Sequence, residues 1–373
     1  MKVAFVHDYL NQYGGAERVL KALITLYPKA PVYTLFHNPS TIRSLFSDRT
    51  VRTSFLQQLP FIQKHYKWYL PIMPLAVEHL NVGGHDVVIS SVSAFAKGIL
   101  TKPTSLHIAY CHTPTRYLWS DTVQYLEELP TQRVIKCVLP LILNQLRLWD
   151  WQAAQRVDRF IANSQFVARR IQKYYQRSST IIYPPVDVDH YTLAPKDEIG
   201  NYYLLISRLR PYKKVDMAIE AFNRMRIPLK IIGVGEEHGR LRKHAGATIE
   251  FLGLVDDHTK AALLARARAL IHPQEEDFGI TAVEAMASGR PVIAYKAGGA
   301  LETVIEGVTG TFFDEQSWEA LADAVIRFEH HAFNPQHIRA SALRFDRSRF
   351  LEEMKVVVEE TYKEFLEGRG RVV

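Results

Sequence analysis

The chain has 373 residues, 47% of them hydrophobic and 23% charged, which excludes a disordered or fibrous protein and exceeds what one ordinary domain holds. Its net charge of +7 is uneven: residues 1–190 carry 21 Lys+Arg against 12 Asp+Glu, whereas residues 191–373 carry 25 against 27. The basic first half predicts an acidic partner there, either nucleic acid or an anionic membrane surface. Two cysteines, Cys111 and Cys137, exclude a disulfide framework and lack metal-ligand spacing, so a reducing cytoplasm is the compartment expected. MKVAFVHDYL has too short an apolar core for a secretory signal. The longest apolar stretch, Cys137 to Leu148, is broken by Pro140, Asn144 and Arg147, so no bilayer-spanning helix is expected.

In chain order, Lys2 to Val6 reads as a strand, followed by a polar loop containing Gly14 and Gly15 and then a helical pattern in Ala16, Val19, Leu20, Leu23 and Ile24. No Gly-Lys-Ser/Thr follows, so this is not a P-loop. Its glycines allow a backbone to approach phosphate, or form a tight turn that binds nothing. Residues 51–75 interleave Phe55, Phe61, Tyr66, Trp68 and Tyr69 with Arg52, Lys64 and Lys67, and three prolines bar one long helix. That mixture suits a membrane interface, single-stranded nucleic acid, or plain core and loop. Val87 to Ile89 and Leu106 to Tyr110 read as strands, the second leading into Cys111-His112-Thr113-Pro114. His112 therefore follows the C-terminal end of a parallel strand, where α/β folds place ligand chemistry, although a structural histidine fits there too. Residues 141–158 read as helix and Arg159 to Ala162 as strand, with Asn163-Ser164 capping the next helix. Thr180 to Tyr183 is a strand that runs into Pro184-Pro185 and a polar linker ending at Asn201.

The alternation then restarts. Tyr202 to Ile206, Leu229 to Ile232 and Ile249 to Leu252 read as strands, and residues 317–331 and 349–366 as closing helices. Gly233, Gly235 and Gly239 approach a dinucleotide fingerprint but have one residue too many between the last two. The segment from Ile271 to Gly299 reads as strand end, acidic loop, Gly279, helix and next strand, with Gly289 at the helix C-cap and Pro291 barring continuation. Glu276 falls in the loop and Glu284 about one turn into the helix, bracketing a mouth whose N–H groups from Phe278 to Thr281 attract anions. The fold class expected is α/β, with two Rossmann-like doubly wound domains facing across a cleft.

Loops after parallel strands emerge on one edge, so Arg208 and Lys213, after the first strand of the second half, can converge with the Phe278–Thr281 mouth. Two cations and a helix N-terminus describe a diphosphate site. Glu284 can accept two hydroxyl hydrogen bonds, as a ribose diol requires, and Glu276 those of a sugar beyond the phosphates. Together these groups bind a nucleoside diphosphate-sugar, with no metal needed if Arg208, Lys213 and the amides supply the positive charge. Paired carboxylates could also hydrolyse a glycoside, but that leaves the Arg/Lys loop unexplained.

EEDFGITAVEAM resembles the Glu-x7-Glu signature of retaining glycosyltransferases with two Rossmann-like domains, the GT-B type of family 4. SRLRPYKKVDMAIEAF is similar to the family's diphosphate loop, with Arg208 and Lys213 at its basic positions and Lys214 where the family usually has glycine. The Gly14-Gly15 loop, YCHTPTRY around His112, IANSQFVARRI, YPPVDVD and GGALETVIEGVTG carry the similarity over nearly the whole chain. It looks closest to bacterial GDP-mannose-dependent mannosyltransferases of surface polysaccharide assembly.

The resemblance implies an acceptor-binding domain at 1–190, a nucleotide-sugar domain at 191–348, and a final helix in 349–373 crossing back to the first domain. It implies that Glu276 contacts the donor hexose, Glu284 the ribose, and the backbone of Phe278, Gly279 and Ile280 the hexose and β-phosphate. His112 would lie beside the reacting sugar, and Gly14 and Gly15 near the phosphates. The catalytic set is then His112, Glu276, Arg208 and Lys213, with no metal and no cofactor beyond the donor. The partners implied are a nucleotide-sugar, a lipid-linked or oligosaccharide acceptor, and an anionic membrane surface at the cytoplasmic face, with no nucleic acid. The alternatives are a UDP- or ADP-sugar donor, an epimerase or phosphorylase of the same fold, a donor-binding protein without activity, and a nucleic-acid-binding protein using residues 51–75.

Overall fold

The computed structural model describes residues 1–40, 46, 50–123 and 133–369. Its contacts divide the chain into two compact units, Met1–Tyr183 with Phe350–Val373, and Pro184–Arg349. The expected boundary at 190/191 falls beyond that division. Val186 N–H instead donates to Phe345 O at 2.9 Å, which ties the Pro184-Pro185 stretch to the second unit.

The first unit is a parallel sheet of seven strands in the order β3-β2-β1-β4-β5-β6-β7. These are β1 Val3–His7, β2 Val32–Thr34, β3 Val51–Thr53, β4 Val87–Val92, β5 Leu106–Cys111, β6 Arg159–Ala162 and β7 Ser179–Ile181. β1, β4 and β5 are buried along their whole length, as central parallel strands covered on both faces must be. One face packs under the helices Gly15–Leu26 and Arg347–Arg369, where Leu20, Leu23, Phe350, Met354 and Val358 meet Phe5 and Ile108. The closing helix thus begins in the second unit and packs onto the first.

The second unit is a six-stranded parallel sheet in the order β10-β9-β8-β11-β12-β13. Its strands are β8 Tyr203–Ile206, β9 Leu229–Ile232, β10 Ile249–Gly253, β11 Leu270–His272, β12 Val292–Tyr295 and β13 Gly310–Phe313. In both sheets the order of strand addition reverses once, between β1 and β4 in the first and between β8 and β11 in the second. At such switch points the loops after neighbouring strands part and leave a crevice for ligands.

Two readings change. The helix expected over 141–158 runs from Arg133 to Gln155, straight through Pro140. Burial of Leu143, Leu146, Ala153 and Ala154 outweighs the one backbone bond that proline removes. The short strands β2, β3 and β13, which the sequence did not announce, have only three or four residues, too few to show a period. Cys111 is buried at the end of β5, and the Cys137 side chain lies outside the described residues. Among the described residues no helix is long and apolar enough to cross a membrane.

Candidate active site

In the second unit the site lies at the switch point, where β8 and β11 are neighbours. After β8 the chain makes the loop Ser207–Lys214. Its path is set by Gly233 and Gly235: a Cβ on either would stand 1.8 Å from Ser207 O or 2.1 Å from Leu209 O. Those glycines therefore serve backbone packing against the basic loop, which explains their near-miss to a dinucleotide fingerprint. Leu209 N–H donates to Val234 O at 3.0 Å, fixing Arg208 on an exposed rim. The Arg208 guanidinium makes no hydrogen bond or ion pair with any described residue.

Lys213 is buried, and its ammonium donates to the Glu276 carboxylate, which also accepts from Gln274 Nε2 at 3.1 Å. Burial pushes the Glu276 pKa up, but the Lys213 charge, with help from His272 and the two hydrogen bonds, brings it to about 2. Glu276 is thus an ionised, acceptor-only group at neutral pH. His272 lies beneath it, and burial with the nearby Lys213 holds its pKa at about 4 against the pull of Glu276, so the ring is neutral. Lys214 adopts φ 53°, ψ 32°, the left-handed conformation that glycine supplies without strain. Lysine thus holds a left-handed conformation at the position where the resemblance leads one to expect glycine.

The loop after β11 ends at Gly279, whose φ of 87° turns the chain into the helix Ile280–Ala287. Ala282 N–H finds Gly279 O at 3.0 Å, while the N–H groups of Gly279, Ile280 and Thr281 have no backbone acceptor among the described residues. Phe278 packs its ring on Phe345 at 5.4 Å between centroids, so only its backbone faces the mouth. Gly298 and Gly299 hold the loop in place: Gly299 N–H donates to Glu276 O at 2.8 Å, and a Cβ there would meet Phe278 Cα at 2.3 Å. Glu284 is only 2% exposed, and Lys260 Nζ donates to one of its oxygens at 2.8 Å. A ribose at Glu284 would share that carboxylate with Lys260. The structure thus brings together Lys213, Glu276 and the Gly279 mouth.

In the first unit, His112 is fixed by three contacts. Its N–H donates to Val92 O at 2.8 Å, its carbonyl accepts Asn163 Nδ2–H at 2.9 Å, and Ser91 Oγ lies 2.8 Å from Nε2. Burial, with a smaller contribution from His7, depresses its pKa to about 3. Gly14 ends the loop ahead of the helix Gly15–Leu26, and its N–H donates to Glu17 Oε2 at 2.8 Å.

Sequence reasoning passed over several supporting groups. Asp8 accepts four backbone N–H bonds of 2.6–2.9 Å from Ser93, Ala94, Phe95 and Ala96, clamping the turn after β4. Buried Asp150 accepts from Lys97 Nζ, Thr115 Oγ1, Trp119 Nε1 and Tyr175 OH at 2.5–2.9 Å, pinning the loop that follows His112. His7-Asp8 ends β1 at the same sheet edge as His112, so the strand-end rule used for His112 would have found both. Nothing local marks Lys97 or Asp150, which are joined only by the fold. In the 51–75 segment Phe61 is 71% and Trp68 70% exposed, next to exposed Lys64 and Lys67, while Tyr66 and Tyr69 are partly buried against the core.

The model of Glycosyltransferase Family 4 matches residues 13–190, and that of Glycosyl transferases group 1 matches residues 194–343. The α-1,3/1,6-mannosyltransferase ALG2 of Rhizomucor pusillus is 24% identical over 87% of this chain and 84% of its own. The phosphatidyl-myo-inositol mannosyltransferase of Mycobacterium leprae is 30% identical over 59% of this chain and 63% of its own. Against other curated relatives the chain spans 61% and 53% of their length. The crystal structure of Anabaena HepE in complex with UDP-glucose aligns with a TM-score of 0.72 over 96% of this chain and all of its own, at 20% identity. Two Rossmann-like units, each with a ligand-ready switch point and each matched by its own model, establish that the chain belongs to the GT-B glycosyltransferases of the family 4 and group 1 kind.

Proposed function

We propose that the protein is a retaining hexosyltransferase that moves mannose from GDP-mannose onto a lipid-linked or oligosaccharide acceptor, working peripherally at an anionic membrane surface on the cytoplasmic side. The observation that carries this reading is the Lys213–Glu276 pair, which joins the loop that also carries exposed Arg208 to the loop before the Gly279-capped helix, at one switch point. When a hexose leaves its diphosphate, negative charge grows on the phosphate oxygens. Arg208, Lys213 and the Gly279–Thr281 N–H groups are the preorganised donors for that charge, each worth about 2.7–4 kcal/mol of barrier by analogy with oxyanion donors. They do the cationic work that a metal would otherwise do, so transfer is proposed to be metal-independent. Ionised Glu276 accepts from hexose hydroxyls, and Glu284 with Lys260 meets the ribose. Attack on the face the diphosphate leaves, with the leaving phosphate taking the acceptor proton, retains the anomeric configuration.

The likeness to two mannosyltransferases supports the sugar. A UDP-hexose donor is the second reading, favoured by the UDP-glucose bound to HepE. Exposed Phe61 and Trp68 flanked by Lys64 and Lys67 support the membrane assignment, since apolar rings insert where cations meet lipid phosphates. The direct experiment incubates the purified chain with GDP-mannose or UDP-glucose and polyprenyl-linked glycans, with and without EDTA. Chelator-insensitive mannosyl transfer with retained configuration is expected. Transfer from UDP-glucose alone would replace the donor, and conversion of donor without acceptor would make the protein an epimerase.

A further inference from the structure

Four buried side chains of the first unit form one chain of polar contacts across the β1/β4 switch point. Glu17 Oε2 accepts Gly14 N–H at 2.8 Å, and Glu17 Oε1 lies 3.6 Å from His7 Nε2. His7 Nδ1 stands 3.1 Å from Ser91 Oγ, which in turn stands 2.8 Å from His112 Nε2. His7 and Ser91 are register partners on β1 and β4, so the sheet itself holds the middle of the chain. His112 Nδ1 has no hydrogen-bond partner among the described residues.

Proton counting gives this chain a direction. Burial pushes the Glu17 pKa up, but the His7 contact and the N–H groups of Glu17 itself and Gly14 hold it below the ordinary carboxylate value, so Glu17 only accepts. In its neutral form, with the Nε2 proton directed at Glu17 3.6 Å away, His7 has a bare Nδ1. A serine hydroxyl has one proton, and Ser91 gives it to His7 Nδ1. Ser91 Oγ is left to accept from His112, which requires the proton of that neutral ring on Nε2.

We propose that His7 and Ser91, anchored by Glu17, are positioning residues that set the tautomer of His112 and present its Nδ1 as a hydrogen-bond acceptor. The same contacts tie the Gly14-Gly15 loop to His112, so two elements expected to meet the donor are held by one relay. The functional part of this inference rests on the reading of His112 as a group beside the reacting sugar; the tautomer itself does not.

The test separates the two. Full-length protein labelled with 15N-histidine is examined by long-range 1H–15N NMR at pH 8, above the ordinary imidazole range, with His112→Gln assigning the His112 signals. The Nε2–H tautomer is expected in the wild type. Ser91→Ala should shift the His112 signals to a tautomer mixture, and Ser91→Thr, which keeps the hydroxyl, should restore the wild-type pattern. Unchanged His112 signals in Ser91→Ala, or an Nδ1–H tautomer in the wild type, would overturn the relay. In parallel, GDP-mannose turnover should lose about tenfold in kcat in Ser91→Ala, with KM little changed and rescue by Ser91→Thr, the scale seen when an orienting partner is removed. If the NMR signals move and turnover does not, the relay stands and the catalytic reading of His112 is wrong.

Discussion

The Lys213 ammonium donates to the Glu276 carboxylate, joining the loop after β8 to the loop after β11. The pair is what makes two separate loops into one site. It places a cation and a carboxylate side by side at the proposed meeting point of diphosphate and sugar, and the Lys213 charge holds the buried Glu276 carboxyl well below its ordinary pKa.

A double-mutant cycle reads that coupling. Lys213→Ala and Glu276→Ala should each lower kcat/KM by about 10²–10³-fold. The double variant should fall far short of the product of the two, because the partners act as a unit. Multiplicative losses would mean that the two residues work independently.

Acid should destabilise the protein in two stages. His107 and His112, each with a folded pKa of about 3, and His272, at about 4, take up protons in the unfolded chain near 6.5 but not in the fold. The unfolded state therefore binds more protons below about pH 6.5, and stability drops as pH falls through that window, by up to about 4 kcal/mol per pH unit if all three contribute. Glu276 has a depressed folded pKa of about 2, so its contribution is intact above about 4.5 and is lost as pH falls toward 2. Urea titrations at pH 7.5, 6 and 5 should show the midpoint falling, and a midpoint constant from 7.5 to 5 would contradict the buried neutral histidines.

Lys214 occupies a left-handed backbone position with φ 53°. Lys214→Gly relieves that strain at some cost in chain entropy, so stability should rise by up to about 1 kcal/mol with donor affinity unchanged. A tenfold loss of donor affinity in this variant would show that the Lys214 ammonium, rather than Lys213 alone, serves the phosphates.

The exposed rings and lysines of the 51–75 segment predict binding to vesicles containing anionic lipid, weakened by Phe61→Ala with Trp68→Ala and by Lys64→Gln with Lys67→Gln, and reduced by salt. Flotation assays measure this. Salt-dependent oligonucleotide binding in place of vesicle binding would assign the segment to nucleic acid.

The two-sheet architecture was legible because central parallel strands are short apolar runs bounded by loops, as in Leu106–Cys111 and Leu229–Ile232. The Glu276, Gly279 and Glu284 arrangement was legible because loop, glycine and helix lie within one stretch. What the sequence could not show was partnership across the fold. Lys260 on Glu284, Asp150 on Lys97 and Ser91 between two histidines join residues far apart in the chain. Gly233 and Gly235, which miss the dinucleotide spacing by one residue, lack side chains because the Ser207 and Leu209 carbonyls stand against them.

Calorimetric titration of GDP-mannose into the wild type, Lys213→Ala and Arg208→Ala tests the donor site most directly. The wild type should bind with a single site, gaining about 2.7 kcal/mol of stability at a hundred times its Kd, and both variants should bind at least tenfold more weakly. Equal affinity in all three proteins would contradict the assignment of Arg208 and Lys213 to the diphosphate.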